Sequence, residues 1–236
     1  MRALLLAAGL GTRLRPLTDT VPKCLVPIRG RPLLAYWLDL LGRAGLERLV
    51  INLHHLPEQV SRFLEGSPWR DRIDPVAEPR LLGTGGSVLA HRALLGDGPF
   101  MVVHADNLSR FDVAAFLERH RRRPPGCELT MMTFTTETPW SCGIVEVDPA
   151  GVVTAFTEKP AHSTSRLANG AVYLLEPSVA DALAGLGKAE VDLSTEVIPR
   201  YLGRMATFHN AVYHRDIGTP EAYRQAQLDT GYLEGR

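Results

Sequence analysis

The sequence predicts an α/β fold with a mixed, mainly parallel sheet flanked by helices. An apolar run over residues 3–8 (ALLLAA) is short enough for one buried strand and is followed at once by a glycine-rich break. Apolar residues then recur at helical spacing over residues 33–44, and RLVINL at residues 48–53 indicates a second buried strand. Because strand-like and helix-like segments alternate, the strands should run parallel with helical crossovers.

The same periodicities predict the remaining elements. Pro32 suits a first helical turn, and a glycine turn over residues 83–86 should precede another helix. A late helix should begin near Asp192 or Ser194 with Glu196 in a capping arrangement, and Pro220 should lie in the first turn of the last helix. The other expected elements are helices at 57–65 and 112–123, strands at 74–77, 100–103 and 128–134, and a hairpin formed by 143–148 and 152–157.

Composition narrows the partners of the chain. The 236 residues carry 26 Lys plus Arg and 26 Asp plus Glu, so no global positive field exists to recruit nucleic acid or an anionic membrane. No apolar run approaches membrane-spanning length, and the basic run at 119–125 (RHRRRPP) lacks interleaved aromatic residues. The three cysteines, at positions 24, 127 and 142, are odd in number and widely spaced, which indicates reduced thiols. We therefore predict a cytoplasmic protein with no nucleic-acid or membrane partner.

The loop after the first strand has the composition of a phosphate site. Gly9 and Gly11 leave backbone N–H groups accessible to an anion, and Arg13, Arg15 and Lys23 add positive charge nearby. The dinucleotide fingerprint G-x-G-x-x-G fails because a leucine stands where the third glycine should fall, and no Gly-Lys-Ser/Thr triplet of a P-loop occurs in the chain. An NAD- or ATP-dependent enzyme carrying either motif is therefore disfavoured, while a polyphosphate ligand is favoured.

The stretch LAAGLGTRLRPLT followed by PKCLVP resembles the signature of the sugar-1-phosphate nucleotidyltransferases, L-A-G-G-x-G-T-R-x-x-P-L-T and P-K-P-L-x-P. Ala8 replaces a frequent glycine and Cys24 a proline, and neither change removes a charge. The resemblance implies a Rossmann-like, GT-A-like fold in a single domain over residues 1–236 without a C-terminal β-helix. Within it, residues 1–125 should bind the nucleotide and residues 126–236 the sugar phosphate.

The resemblance also implies a nucleotide site at the start of the chain. Glu78 would read the base edge, and an ionised acid can accept both adjacent N–H donors of guanine, whereas uracil and thymine offer one N–H. Glu78 therefore favours GTP, although a solvated loop acid is an alternative for this residue. Arg13 and Lys23 should act in catalysis. The residues expected to bind the nucleotide are Ala8, Gly9, Gly11, Thr12, Arg13, Lys23, Glu78 and Gly83.

Two acids are expected to hold Mg²⁺. Asp106 follows the predicted strand at 100–103, and ligands of open α/β sheets gather outside the carboxyl ends of strands. Asp216 occupies the D-x-G-T-P position at which the family places its second metal acid. Magnesium takes one or two protein carboxylates together with substrate phosphates, so the two suffice. A helix N-cap or an Asx-turn is the alternative for an isolated acid such as Asp106, which is also assigned to the catalytic set.

The second half of the chain should bind the sugar phosphate. Glu158-Lys159-Pro160 matches the E-K-P of the family, in which the acid binds a sugar hydroxyl and the lysine meets the sugar phosphate. Asn169-Gly170 corresponds to an element whose amide can donate to and accept from hydroxyls. Gly143 falls where the family brings its backbone close to the sugar. Cys142 replaces an aromatic residue often found before that glycine, so the sugar pocket is altered there.

The predicted function is condensation of GTP with mannose or heptose 1-phosphate to give a nucleotide sugar and pyrophosphate. Two alternatives remain open on the sequence. One is a uridylyl- or thymidylyltransferase acting on glucose 1-phosphate, N-acetylmuramate 1-phosphate or a related sugar. The other is a sugar-nucleotide-binding regulator without activity, which is disfavoured because every expected charge is present. The expected partners are the two substrates, and a homo-oligomer is compatible with the sequence.

Overall fold

The computed structural model describes residues 1–229 as strands and helices in alternation. The strands are β1 (Arg2–Leu6), β2 (Pro27–Ile28), β3 (Arg31–Pro32), β4 (Arg48–Leu53), β5 (Ile73–Ala77), β6 (Phe100–His104), β7 (Asn107–Arg110), β8 (Leu129–Thr135), β9 (Gly143–Val147), β10 (Val153–Glu158), β11 (Leu167–Leu175), β12 (Met205–His209) and β13 (Tyr213–Asp216). The α-helices are α1 (Leu17–Thr20), α2 (Leu33–Arg43), α3 (Pro57–Glu65), α4 (Gly83–Ala90), α5 (Arg92–Leu95), α6 (Val113–Arg121), α7 (Pro177–Ala184) and α8 (Pro220–Leu228).

The chain divides into two compact units that interleave along the sequence. The first unit consists of Met1–Leu81, His104–Val113 and the segment that begins at Val212. The second consists of Leu82–Val103 and Ala114–Ala211. The expected single domain over 1–236, with its parts 1–125 and 126–236, stays a prediction, and residues 230–236 of it lie outside the described residues.

The first unit is built on parallel strands. β4 lies between β1 and β5 and runs parallel to both, with Leu4 opposite Val50 and Val50 opposite Asp74. Leu4, Leu5 and Ile51 are fully buried, as expected for apolar runs in a parallel sheet that is covered on both faces. α2 buries one face, on which the indole Nε1 of Trp37 donates to the carbonyl of Asn107 at 2.7 Å. The predicted parallel strands with helical crossovers are confirmed here.

A short antiparallel ribbon completes the first unit. β13 pairs with β7 so that Asp216 lies opposite Asn107. Ile217 follows β13 and is fully buried in a cluster of apolar side chains with Leu108. The segment from Tyr213 to Ala226 thus packs into the unit that contains the first strand.

The second unit contains the antiparallel part of the sheet. β11 pairs antiparallel with β6, β8 and β9, while β12 runs parallel to β8. β9 and β10 form the predicted hairpin, with Gly143 opposite Glu158. The predicted α/β class with a mixed sheet and flanking helices is confirmed, and the antiparallel pairs of the described chain concentrate in this unit. None of the helices between residues 1 and 229 combines the length and the apolar character that a membrane span requires.

Two predicted helices differ from the structure: one starts earlier than expected, and the other begins after Asp192 as predicted but has a different helix type. The glycines at 83–86 do not precede a helix but form the first turn of α4. They are glycines because Ala189 and Val191 lie where their Cβ atoms would be. The late helix is a single π-helical turn, Leu193–Val197, continued by a 3₁₀ turn, Ile198–Tyr201. Its predicted cap is present, since the Glu196 carboxylate accepts the backbone N–H of Asp192 at 3.1 Å.

Candidate functional site

The loop after β1 folds back on itself through Gly11. This residue has a φ of +64°, and a Cβ atom there would lie 2.9 Å from Thr18 Cγ2 and 3.0 Å from Lys23 Cβ. Glycine is therefore required by both conformation and space. The Thr18 hydroxyl donates to the Gly11 carbonyl at 2.8 Å. Gly9 is exposed, and a Cβ atom added there would meet no other atom within 4 Å.

The predicted phosphate residues continue through this loop. Ala8 is buried at the base of the loop. Thr12 begins a 3₁₀ turn that carries Arg13, whose side chain is exposed. The loop therefore presents exposed backbone and one exposed guanidinium, as an anion site requires.

Lys23 lies between the two predicted metal acids. Its Nζ is 2.6 Å from Asp106 Oδ2 and 3.7 Å from Asp216 Oδ1, and its side chain is only 6% exposed. Lys23 begins a second 3₁₀ turn after Pro22, which directs the chain back toward the loop. Three residues separated by as many as 193 positions in the sequence are thus joined by one ammonium group.

The ends of two paired strands position the acids. Asp106 lies between β6 and β7, and Asp216 ends β13, whose partner residue in the ribbon is Asn107. Arg13 Nη2 lies 3.7 Å from Asp216 Oδ2. A Cβ on Gly218 would be 2.6 Å from each of these two atoms, so the glycine of the D-x-G-T-P element makes room for the ion pair.

Asp106 is held in its charged form. Burial acts to raise the pKa of its carboxyl group, but the Lys23 ammonium, with a smaller effect of His104, holds that pKa below its usual range. An ionised carboxylate is the form that binds a metal ion. The alternative in which Asp106 is only a helix cap or a turn residue does not account for its contact with Lys23.

The pair of acids has the chemistry of a partial magnesium site. Among residues 1–229 no cluster of three or more His, Cys, Asp or Glu side chains has the spacing of a complete metal site. Magnesium is commonly held by one or two carboxylates while substrate phosphates and water supply the other oxygens. Asp106 and Asp216 fit that arrangement, and the exposed loop with Arg13 lies in the same unit.

Glu78 directly follows β5, at the carboxyl end of the parallel strands. Its side chain is 4% exposed, so the alternative of a solvated loop acid is wrong. Asn52 Nδ2 donates to Glu78 Oε1 at 3.1 Å, and Asn52 Oδ1 accepts the backbone N–H of Ala7 at 2.6 Å. The predicted base-reading acid is therefore linked through Asn52 to the first residue of the phosphate loop.

Gly83 belongs to the second unit, where it packs against backbone. Its φ is +73°, and a Cβ would lie 2.5 Å from the Val191 carbonyl oxygen. The N–H groups of Gly85 and Gly86 donate to the same oxygen at 2.8 and 3.1 Å. This packing accounts for the glycines without a ligand, and the nucleotide-binding role of Gly83 stays a prediction.

Adjacent strands bring the predicted sugar residues together. Gly143 begins β9 opposite Glu158 at the end of β10, and a Cβ on the glycine would lie 2.8 Å from Glu158 Oε2. Lys159 has a left-handed φ of +46°, and its Nζ lies 3.5 Å from Glu158 Oε1. Its backbone N–H donates to the Cys142 carbonyl at 3.0 Å. An acid and an ammonium are thus presented side by side, both partly exposed.

Asn169 lies on the neighbouring strand β11, beside a bulge. Its Nδ2 donates to the Tyr173 hydroxyl at 2.7 Å, and its Oδ1 accepts the Ala171 N–H at 2.9 Å. The register of β11 against β8 shifts between Asn169 and Tyr173, and Ala171 has a φ of +53°. Burial raises the pKa of Tyr173, while the bond from Asn169 acts in the opposite direction. Ala168 pairs with Ile144, which places Asn169 at the Gly143 end of the hairpin.

Sequence reasoning missed Asn52 and Tyr173. Both lie within strands that otherwise read as apolar runs, RLVINL and AVYLL. A polar side chain inside such a run must find a hydrogen-bonding partner when it is buried, and that requirement was the available signal. The partners, Glu78 for Asn52 and Asn169 for Tyr173, could not be identified from the sequence, because no spacing between the members of either pair indicates a contact.

Known proteins resemble this chain over most of its length. Residues 2–231 match the family model of the nucleotidyl transferases. The chain is 32% identical over 232 residues to mannose-1-phosphate guanylyltransferase of Mycobacterium tuberculosis, covering 96% of this chain and 64% of that protein. It is 34% identical over 187 residues to glucose-1-phosphate thymidylyltransferase of Streptomyces griseus, covering 79% of this chain and 52% of that protein. The chain therefore spans less than two thirds of the length of these relatives.

Solved structures show the same fold. The crystal structure of HddC from Yersinia pseudotuberculosis superposes with a TM-score of 0.82 at 24% sequence identity, covering 96% of this chain and 98% of that one.

Proposed function

The chain belongs to the nucleotidyl transferase family, and from that premise we propose that it condenses a nucleoside triphosphate with a sugar 1-phosphate. The proposed substrates are GTP and mannose or heptose 1-phosphate, and the products are the nucleotide sugar and pyrophosphate. The observation that carries the proposal is the position of Lys23 between Asp106 and Asp216, beside the loop that bears Arg13. Positive and negative groups alternate there, as is required where a metal ion and a triphosphate bind together.

In the proposed reaction, a phosphate oxygen of the sugar 1-phosphate attacks the α-phosphorus of the triphosphate in line. The bond from the α-phosphorus to the bridging oxygen breaks, and pyrophosphate leaves with the electron pair. Both reactants are anions, so alignment and neutralisation of charge should supply most of the rate enhancement. No covalent intermediate with the protein is needed.

The residues of the first unit are assigned to the triphosphate. The exposed loop and Arg13 would hold the β- and γ-phosphates. Lys23 has three N–H donors, so it can keep its contact with Asp106 and donate to an α-phosphate oxygen at the same time. Asp106 and Asp216 would hold Mg²⁺, which when bound supplies positive charge to the phosphate oxygens.

The residues of the second unit are assigned to the sugar phosphate. Lys159 would neutralise the attacking phosphate. Glu158 lies 3.5 Å from the Lys159 ammonium and would accept a hydrogen bond from a sugar hydroxyl. Asn169 would donate to or accept from a second hydroxyl, in exchange for one of its present bonds. A Cβ on Gly143 would lie 2.6 Å from the Phe156 ring and 2.8 Å from Glu158 Oε2, so the glycine makes room for both of these side chains.

The guanine assignment rests on two observations. Glu78 is a buried carboxylate at the sheet edge that carries the phosphate loop, and a carboxylate accepts the paired N–H donors of guanine. The Mycobacterium tuberculosis relative is named a guanylyltransferase. The second candidate is a thymidylyl- or uridylyltransferase, which the name of the Streptomyces griseus relative favours. Cytoplasmic location, the lack of nucleic-acid and membrane partners and self-association stay predictions.

A substrate panel tests the proposal. The protein is incubated with Mg²⁺, each of GTP, UTP, dTTP and ATP, and each of mannose, glucose, heptose and N-acetylmuramate 1-phosphate, and pyrophosphate release is measured. We expect release with GTP and mannose or heptose 1-phosphate, and its loss with EDTA and in the isosteric variants D106N and D216N. Binding of nucleotide without pyrophosphate from any combination would instead identify a non-catalytic regulator.

A further inference from the structure

Asn52 connects two parts of the proposed nucleotide site that are far apart in the sequence, the phosphate loop and Glu78. It lies in β4, its side chain is 2% exposed, and its amide bridges the Ala7 backbone N–H and the Glu78 carboxylate. The two bonds measure 2.6 and 3.1 Å. One buried amide therefore contacts both the start of the phosphate loop and the acid assigned to the base.

The chemistry of the two contacts fixes the orientation of this amide. A backbone N–H can only donate, so the Asn52 atom facing Ala7 must be the carbonyl oxygen. The NH₂ group then faces Glu78, where it donates to a carboxylate oxygen. The opposite orientation would place two donors against each other at Ala7 and two acceptors against each other at Glu78. The amide is therefore held in one state.

The backbone around Glu78 is fixed independently of its side chain. The Glu78 N–H donates to the Leu53 carbonyl at 2.8 Å, and the Glu78 carbonyl oxygen lies 2.8 Å from His54 Nδ1. The remaining freedom lies in the side-chain torsions, and the bond from Asn52 restricts those. Since β1, β4 and β5 are parallel, their carboxyl ends bring Ala7, Asn52 and Glu78 to one edge of the sheet.

We infer that Asn52 is a positioning residue that sets the base selectivity of the nucleotide site by holding the Glu78 carboxylate in register with the phosphate loop. The inference rests on the proposed function. A triphosphate held by the loop presents its base in a limited set of positions, so the acid discriminates between bases only when its own orientation is fixed relative to that loop. Asn52 touches no substrate in this account and acts through Glu78.

The variant N52D separates the two contacts of the amide. Aspartate is isosteric and keeps an oxygen to accept the Ala7 N–H, but it replaces the amide donor to Glu78 with a second acid. The two acids repel each other or share one proton, and in both cases Glu78 is no longer held as a free carboxylate. The double variant N52D/E78Q restores a donor and acceptor pair, now with the amide on residue 78. N210D is the matched control, because Asn210 is also a buried amide but belongs to the second unit.

The readout is direct binding of GTP and UTP with Mg²⁺ and without sugar phosphate, measured by calorimetry, together with the circular dichroism melting curve of each variant. For N52D we expect the ratio of the UTP and GTP dissociation constants to fall by about tenfold, the effect of losing one bond to a charged group, while UTP affinity changes little. N52D/E78Q lacks the carboxylate assigned to guanine, so it should keep the low ratio even where its restored bond returns the melting curve toward that of the wild type. N210D should keep the wild-type ratio.

Four outcomes would each overturn a claim. A folded N52D with the wild-type ratio overturns the positioning role. If N52D does not fold, N52S is measured, and a wild-type ratio there overturns the inference in the same way. A wild-type protein that binds neither triphosphate overturns the proposed function and with it this inference, whereas tighter binding of UTP than of GTP overturns the guanine assignment.

Discussion

Lys23 is a buried cation that lies close to two acids of the first unit. Its ammonium contacts Asp106 and lies within 3.7 Å of Asp216, while it is almost fully buried. A buried cation between two anions is stable only as part of that set, since the removal of one member leaves uncompensated charge. The same property suits it to a site in which two phosphate groups must approach one another.

Replacement of Lys23 by alanine should therefore abolish most of the proposed activity. We expect turnover to fall by about 10²- to 10³-fold, the loss typical of one preorganised charge contact. Pyrophosphate release with saturating substrates measures it. The control is K188A, because Lys188 is an exposed lysine that pairs with Glu196 in the second unit. Turnover of K23A at the wild-type level would exclude Lys23 from the catalytic set.

His120 makes the stability of the second unit depend on pH. Burial, with a further effect of Arg123, lowers the pKa of His120 to about 4, and its Nδ1 is bonded to the Thr130 hydroxyl at 2.8 Å. Glu176 Oε1 lies 3.3 Å from Nε2 but is shared with Arg123, so burial determines the direction. The folded state thus favours the neutral ring.

The sign of this effect follows from linkage. The unfolded chain takes up a proton on His120 near pH 6.5, whereas the folded chain does so only near pH 4. The stabilisation is fully present above pH 6.5 and is lost as the pH falls from 6.5 to 4, by roughly 1–3 kcal/mol. Urea unfolding at several pH values measures it. In H120N the slope over this interval should be shallower, and an unchanged slope would contradict the assignment.

At the scale of elements, the sequence predicted the type of a helix, strand or loop better than it predicted the contacts between them. The run ALLLAA and the glycine break after it were sufficient to predict β1 and its loop, because a buried strand and a tight turn have local signatures. The glycines at 83–86 were assigned to a turn before a helix, yet they form the first turn of α4. Glycine is needed there because Ala189 and Val191, more than 100 residues away, lie where a Cβ would be. Such long-range causes leave no local pattern.

In the candidate site too, some residues could be predicted from the sequence and others could not. Charged residues that a motif contains, such as Lys23 and Asp216, could be named from the sequence and are found in contact. Asn52 could not, because its role depends on which residue follows the neighbouring strand β5. A motif identifies residues that contact the ligand. Residues that contact other residues of the protein can be identified only from the folded structure.

The turn that begins α4 provides a test of close packing. In G86A a Cβ would lie 2.5 Å from the Ala189 carbonyl oxygen, so backbone must move. We expect a loss of about 1–3 kcal/mol in the free energy of unfolding, although alanine favours helix intrinsically. The matched control is G66A, at the end of α3, where φ is −82° and the nearest atom is 3.7 Å away. Chemical denaturation should show G66A equal to the wild type or slightly more stable. Equal stability of G86A and G66A would contradict the packing argument.

At the scale of the whole molecule, the first unit joins residues that lie about 200 positions apart in the sequence. The Tyr223 hydroxyl and the Gln227 amide both donate to the Pro27 carbonyl, at 2.9 and 2.7 Å and across about 200 residues of sequence. The same final segment supplies β13 and therefore Asp216. Contacts of such sequence separation are entropically costly to close and tend to slow folding.

Ile217 tests how far the first unit depends on that segment. It is fully buried in the cluster with Leu14, Val26 and Leu108, and it directly follows Asp216. The variant I217A should lower the free energy of unfolding by about 2–5 kcal/mol, because its cavity lies where the last segment joins the rest of the unit. The control L228A changes a 70% exposed leucine of α8 in the same segment and should leave stability unchanged.

Nucleotide binding distinguishes local loosening from general loss of stability. If the final segment is anchored through Ile217, I217A should bind Mg²⁺ and triphosphate more weakly even at temperatures where circular dichroism shows it folded, because Asp216 is adjacent to the cavity. L228A should bind as the wild type does. Unfolding of I217A at the wild-type denaturant concentration, or wild-type affinity in the folded variant, would show that the first unit does not depend on this contact, and that Asp216 is held by the pairing of β13 with β7 alone.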